Sequence, residues 1–109
     1  MNSARDRIRM LNDELRQHHR GGRIVLTRGL EALGPELVQM VGDAVSRFDA
    51  FTSDNDPYGE HDFGSVQVQG YRVFFKIDCF DLDLTCHSPD PGDPNVTRRV
   101  MTLMLAEEY

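Results

Sequence analysis

The chain has 109 residues, of which 39% are hydrophobic and 28% charged, and its formal net charge is −6. This length allows one modest core, and the composition is that of a folded globular protein rather than a disordered one. No apolar run approaches the roughly 20 residues that span a bilayer, and no apolar segment follows the basic N-terminus as it would in a secretion signal. We therefore expect a single cytoplasmic domain over residues 1–109, with no membrane partner and with Cys79 and Cys86 as free thiols.

The first half of the chain predicts two helices with a strand between them. Residues 4–19 carry apolar positions at spacings of three and four, which is typical of a helix. Residues 23–28 (RIVLTR) are rich in β-branched side chains and predict a strand. Residues 35–51 begin with a proline and present a wide apolar face that includes Phe48, which predicts a second helix. The arginines of the first helix are interleaved with acids and are interpreted as its solvated surface: Arg5, Arg7, Arg9, Arg16 and Arg20.

A β-hairpin is the clearest prediction in the second half. Residues 65–69 and 71–80 alternate apolar and polar side chains on either side of a Gln69-Gly70 turn, where glycine supplies a positive φ. Residues 81–94 are rich in Asp, Pro and Gly and predict a loop.

The end of the chain is interpreted as a third helix. Asp93 and Pro94 suit the N-cap and first position of a helix over residues 94–109, and apolar positions recur at helical spacing. The predicted fold is α+β: a small, mainly antiparallel three-stranded sheet packed by helices, in the order α-β-α-β-β-α.

The acidic loop, residues 52–64 (TSDNDPYGEHDFG), is the most unusual stretch of the sequence. It holds four acids and a histidine without a basic residue. Residues 52–93 as a whole carry nine acids and two basic residues, Arg72 and Lys76. Such a region repels nucleic acid and attracts cations or a basic protein surface.

Several motifs resemble a known family, the bacterial proteins called domain of unknown function 3768. They are RIVLTRG (23–29), DNDPYGEHDFG (54–64), FKID followed by FD (75–81), SPDPGDP (88–94) and the ending MLAEEY. The resemblance covers nearly the whole chain. It implies a bacterial cytoplasmic protein similar to those found among the accessory genes of plasmids and genomic islands, and hence a role in mobile-element biology. It assigns no reaction.

The acidic loop satisfies no complete catalytic or metal-binding motif. An EF-hand is excluded because Ser65 stands where the bidentate Glu is required. A nuclease core would use Asp62 and Lys76, but Phe74 occupies the position of its middle acid. No nucleophile elbow or phosphate-binding glycine loop is present. No metal and no cofactor is therefore assigned. Four residues could in principle bind zinc, but their spacings match no established zinc-binding pattern: His61, Cys79, Cys86 and His87.

A purely structural role for the acidic loop remains open. Asp and Asn side chains before Pro57 build turns by binding nearby backbone N–H groups. On this interpretation His61 and Asp62 pin the loop to the hairpin, Phe63 is its buried anchor, and Tyr58 is exposed.

Two hypotheses for function follow from these observations. The first is a non-catalytic interaction module whose acidic surface binds a basic patch of another protein, for which an inhibitor of host nuclease defence is one candidate. The second is a small divalent-metal-dependent hydrolase or nuclease that uses the Asp54–Asp62 segment. The candidate site residues are Asp54, Asp56, Tyr58, Glu60, His61, Asp62, Lys76, Asp78 and Asp81.

Overall fold

A four-stranded sheet is the centre of the fold in the computed structural model, which describes residues 3–109. Residues 1 and 2, which the single-domain prediction includes, lie outside the described residues. The helices and strands, in chain order, are α1 (Ala4–His18), β1 (Arg23–Leu26), α2 (Arg28–Glu31), α3 (Pro35–Arg47), β2 (Phe63–Val68), β3 (Tyr71–Phe80) and β4 (Arg98–Leu105). Single 3-10 turns cover Pro94–Val96 and Ala106–Glu108.

The sheet order is β1-β4-β3-β2. Strands β2, β3 and β4 pair antiparallel, and β1 pairs parallel with β4. The predicted hairpin is confirmed, and both turn residues have positive φ: Gln69 at 51° and Gly70 at 83°. The mixed α+β class is also confirmed.

One face of the sheet forms the core with the helices. Alternate residues of β3 point to this face, as the strand pattern predicts. The buried residues that share it are Leu15 of α1, Leu30 of α2, Val41 and Val45 of α3, Val68 of β2, Val73, Phe75 and Ile77 of β3, and Met101, Leu103 and Leu105 of β4. On the other face Phe63, Phe74 and Tyr109 pack against one another. Phe63 is half-buried there and is not part of the core.

The predicted C-terminal helix is wrong, and so is the three-stranded sheet. Residues 98–105 form β4, which lies between β1 and β3. Strand β4 carries apolar residues on its outward face as well, Val100 and Met104, so residues 100–105 form an almost continuous apolar run, which periodicity alone does not separate from a helix. Asp93 does cap the following residues, since its Oδ1 accepts the Asn95 N–H at 2.9 Å, but the turn ends at Val96.

Helix α3 is shorter than predicted because the chain becomes extended at Phe48, with φ −63° and ψ 130°. The Phe48 ring then packs edge-on against Phe51 and Phe75, with centroids 4.8 and 5.4 Å away. Strand β1 also ends early, since Thr27 is the N-cap of α2.

Candidate functional site

Side chains of α1 hold the acidic loop through hydrogen bonds to its backbone. The Asn12 Nδ2 group donates to the Glu60 carbonyl at 2.9 Å, and Arg9 Nη1 donates to the Gly59 carbonyl at 3.3 Å. Asn12 is only 1% exposed. The second half of the loop is therefore fixed to a helix about 50 positions earlier in the sequence.

His61 is the main anchor of the loop. Its ring stacks on Phe51 with centroids 3.8 Å apart and planes at 4°, and its Nδ1 lies 2.8 Å from Asp13 Oδ1. Its backbone N–H donates to Asp56 Oδ1 at 3.2 Å. The prediction that His61 pins the loop to the hairpin is wrong, because its partners lie on α1 and after α3. Only Asp62 joins the hairpin, where its carbonyl accepts the Ile77 N–H at 2.8 Å.

Arg16 is buried beneath this anchor, contrary to the interpretation of the α1 arginines as a solvated surface. Its side chain is 1% exposed, and Nη1 lies 2.8 Å from Asp13 Oδ1. The guanidinium carbon lies 5.0 Å from the Phe51 ring centroid and 5.8 Å from that of Phe75. A guanidinium is tolerated there because it has a counter-ion and aromatic faces.

A second buried arginine connects α1 to the loop before β4. The Arg99 Nε group donates to Asn12 Oδ1 at 2.6 Å, and Nη2 donates to the Pro91 carbonyl. Burial lowers the pKa of Arg99. Asn12 thus joins both loops, since its amide nitrogen binds Glu60 and its oxygen binds Arg99.

The candidate carboxylates have different surroundings. Asp54 is exposed, whereas Asp56 is buried. The Oδ1 atom of Asp56 accepts the His61 N–H, and its Oδ2 atom lies 3.7 Å from His61 Nε2. Glu60 and Asp62 are half-buried and form no ion pair within residues 3–109. Tyr58 is 76% exposed, as expected from the sequence.

The remaining candidates lie on or beside β3. Lys76 Nζ and Asp78 Oδ1 are 3.5 Å apart in a half-exposed ion pair. Asp81 is occupied locally, because its Oδ1 accepts the Thr85 N–H at 3.0 Å and the Cys86 N–H at 3.4 Å. Asp81 therefore closes its own turn.

The ionised forms of Glu60 and Asp62 are disfavoured. Burial raises the pKa of Glu60, and the charges of Asp62 and Asp56 raise it further. Burial also raises the pKa of Asp62, with added repulsion from Asp56 and Asp78. These two side chains would gain from a neighbouring positive charge.

Cys79 lies close to this region but is not arranged as a nucleophile. It is 8% exposed, and burial raises the pKa of its thiol, which disfavours the reactive thiolate. Cys86 is exposed, and both thiols are free.

Within residues 3–109, no three His, Cys, Asp or Glu side chains form a group that could hold a metal ion. Over the same residues no helix is long and apolar enough to cross a membrane.

The fold and this loop define a small α+β protein that holds an acidic loop rigidly on its first helix. Residues 26–108 match the family model described as "Protein of unknown function (DUF3768)", and the chain belongs to this family. The resemblance drawn from the motifs is thereby confirmed. Comparison with curated proteins and with solved structures gives no match.

Proposed function

We propose that this protein is a non-catalytic interaction module whose acidic loop binds a basic surface of another protein. The observation that carries the proposal is the state of Glu60 and Asp62. The backbone carbonyl of each is hydrogen-bonded, both side chains have a raised pKa, and neither has an ion-pair partner within residues 3–109. A lysine or arginine of a partner would offset the burial and the repulsion that disfavour their ionised forms.

The rigidity of the loop supports binding rather than disorder. Its anchors are the buried Asn12, the stacked His61 and the Asp13 carboxylate. A surface that is ordered before binding loses less conformational freedom when a partner arrives. Tyr58, exposed beside the acids, adds the aromatic contact area that interfaces favour.

The biological setting that we propose is the cytoplasm and mobile-element biology, with inhibition of a host nuclease as the leading candidate. The support is the resemblance of the motifs and the excess of acids in residues 52–93. A row of carboxylates can occupy a surface that otherwise binds phosphates. The same charge repels nucleic acid, so we expect no direct binding to it.

The alternative is a small divalent-metal-dependent hydrolase or nuclease that uses the Asp54–Asp62 segment. A cation would also favour the ionised forms of Glu60 and Asp62, which burial and neighbouring carboxylates disfavour, and this is the observation in its favour. The basic-partner proposal is preferred because Asp56, His61 and Asp81 already have partners inside the chain.

Calorimetric titration with an oligo-arginine peptide tests the proposal. The double variant Glu60→Gln/Asp62→Asn should weaken binding by about tenfold or more, since two charges that face the peptide are lost. The matched control is Glu31→Gln/Glu107→Gln, which changes the net charge equally at two exposed positions and should weaken binding far less. An equal loss of peptide affinity in the two double variants would mean that net charge alone determines binding, and would contradict a defined site.

A further inference from the structure

Strand β1 is an edge of the sheet: within residues 3–109, no strand pairs with it on the side away from β4. The Thr27 N–H donates to the Leu103 carbonyl at 3.1 Å. Because strand residues alternate in direction, the backbone of Val25 also points to β4, and the backbones of Ile24 and Leu26 point outward. Two N–H groups and two carbonyls are therefore available to another strand.

This edge lacks the features that normally prevent strand addition. Edge strands are usually protected by charged side chains, proline or bulges. Strand β1 is RIVL, with a single charge at its first position, and the central Val25 is 39% exposed. Helix α2, which follows β1, packs on β4 and α3.

An apolar groove of about 290 Å³ runs between β1 and α3 beside the same edge. Ile24 and Leu26 form one wall, and Val38 and Val45 belong to the other. A Cβ at Gly42 of α3 would meet nothing within 4 Å, so the helix itself leaves room there. Side chains of an added strand could bury apolar surface in this groove.

We propose that β1 pairs antiparallel with β1 of a second copy of this chain, around a two-fold axis at Val25. In this register Ile24 exchanges both backbone hydrogen bonds with Leu26 of the second copy, and the reverse pair does the same. All four outward groups are then satisfied. Val25 faces Val25 of the second copy as a non-hydrogen-bonded pair, and the two exposed valines cover each other.

Charge complementarity favours a second copy over an unrelated peptide. The register places Arg23 opposite Thr27 of the second copy. The Thr27 hydroxyl donates to Glu108 Oε1 at 2.5 Å, and the Gly29 N–H donates to Glu108 Oε2 at 3.0 Å, so a fixed carboxylate lies beside Thr27. Neither Arg23 nor Glu108 is in an ion pair within residues 3–109. The two-fold axis brings Arg23 of each copy to Glu108 of the other, so the dimer contains two such pairs.

Disulfide trapping tests this register directly. In a Cys86→Ser background, Val25→Cys should form a covalent dimer under mild oxidation, because non-hydrogen-bonded partners lie about 4.5 Å apart at Cα, within the range of disulfides. The control is Ser65→Cys, an exposed position on the other sheet edge, β2. Dimer formation by Val25→Cys no faster than by Ser65→Cys would overturn the proposal.

Analytical ultracentrifugation gives a second, independent measurement. Val25→Lys places two ammonium groups opposite each other and should raise the dimer dissociation constant by about tenfold or more, whereas Val25→Thr keeps a β-branched side chain and should change it far less. Circular dichroism checks that both variants fold. A wild-type chain that stays monomeric up to millimolar concentration would also overturn the proposal, including the case in which the edge binds only a different protein.

Discussion

Asp13 and His61 are 48 positions apart in the sequence, and their side chains meet with Oδ1 and Nδ1 at 2.8 Å. The same Asp13 oxygen lies 2.8 Å from Arg16 Nη1. One carboxylate of α1 therefore serves both the buried guanidinium and the histidine that anchors the acidic loop. The position of the loop depends on this junction.

Removal of the Asp13 carboxylate should destabilise the fold strongly. In Asp13→Ala, Arg16 stays buried without its counter-ion, and we expect a loss of about 2–3 kcal/mol in the free energy of unfolding. The double variant Asp13→Ala/Arg16→Met should lose less, because the buried charge is gone. Urea denaturation measures both. The control is Glu14→Ala, which breaks the exposed ion pair with Arg20 and should cost less than about 1 kcal/mol. Equal losses in Asp13→Ala and Glu14→Ala would contradict the burial of Arg16.

Loss of the His61 ring should release the loop. His61→Ala removes the stack on Phe51 and the contact with Asp13, for an expected cost of about 1–2 kcal/mol. Amide hydrogen exchange should become faster across residues 52–62 but not in β3. His87→Ala, at an exposed position, serves as the control and should leave exchange unchanged. Unchanged exchange in His61→Ala would mean that the loop is held by other contacts.

The raised pKa values of Glu60 and Asp62 predict a defined pH dependence. The native state binds their protons more tightly than the unfolded chain does. In the unfolded chain the pKa values are the ordinary ones, 4.5 for Glu60 and 3.8 for Asp62. Their contribution to stability is therefore full below these values and is lost as the pH rises through the folded-state pKa. Glu60→Gln and Asp62→Asn should raise the melting temperature at pH 7, and this gain should disappear in acid.

Asp81→Asn provides a control of opposite sign for that experiment. Hydrogen bonds from the backbone of Thr85, and then of Cys86, lower the pKa of Asp81. Its ionised form stabilises the native state, so the variant should melt at a lower temperature at pH 7. A lower melting temperature for Glu60→Gln at neutral pH would show that its ionised form is instead stabilised inside the chain.

Divalent cations separate the two proposed functions. If the acidic loop is an interaction surface, Mg²⁺, Mn²⁺ and Ca²⁺ should change the melting temperature no more than NaCl of equal ionic strength. A metal site would stabilise the fold by mass action, by about 2.7 kcal/mol at a hundredfold excess over the dissociation constant. A saturable rise that is lost in Asp62→Asn would favour the metal-dependent enzyme.

Local patterns in the sequence predict the hairpin and the helices α1 and α3, because alternation, caps and turn residues all act over a few positions. They fail at β4, where apolar residues lie on both faces of the strand and obscure the alternation that identifies it. The apolar positions at Val100, Leu103 and Met104 fit a helix equally well until β1 and β3 are placed on either side.

The sequence predicts where the candidate site lies, but not the contacts that hold it. The density of acids locates the loop, and Asp54, Glu60 and Asp62 do reach the surface. Asn12, Asp13, Arg16 and Arg99 could not be found, because their contacts span 48 or more positions or lie under the loop. Asn12 and Arg16 lie four positions apart beside the apolar stripe of α1, and this spacing is the signal in the sequence that could have indicated their burial.

The proposed function requires that Glu60 and Asp62 receive positive charge from a partner. The most direct measurement is a carboxyl-carbon NMR titration of these two residues with and without the bound oligo-arginine peptide. We expect a raised pKa for both residues in the free protein, and we expect both pKa values to fall in the complex. If both stay unchanged while the peptide is bound, or if they fall saturably with Mg²⁺ and not with the peptide, the account of the acidic loop as a protein-binding surface is contradicted.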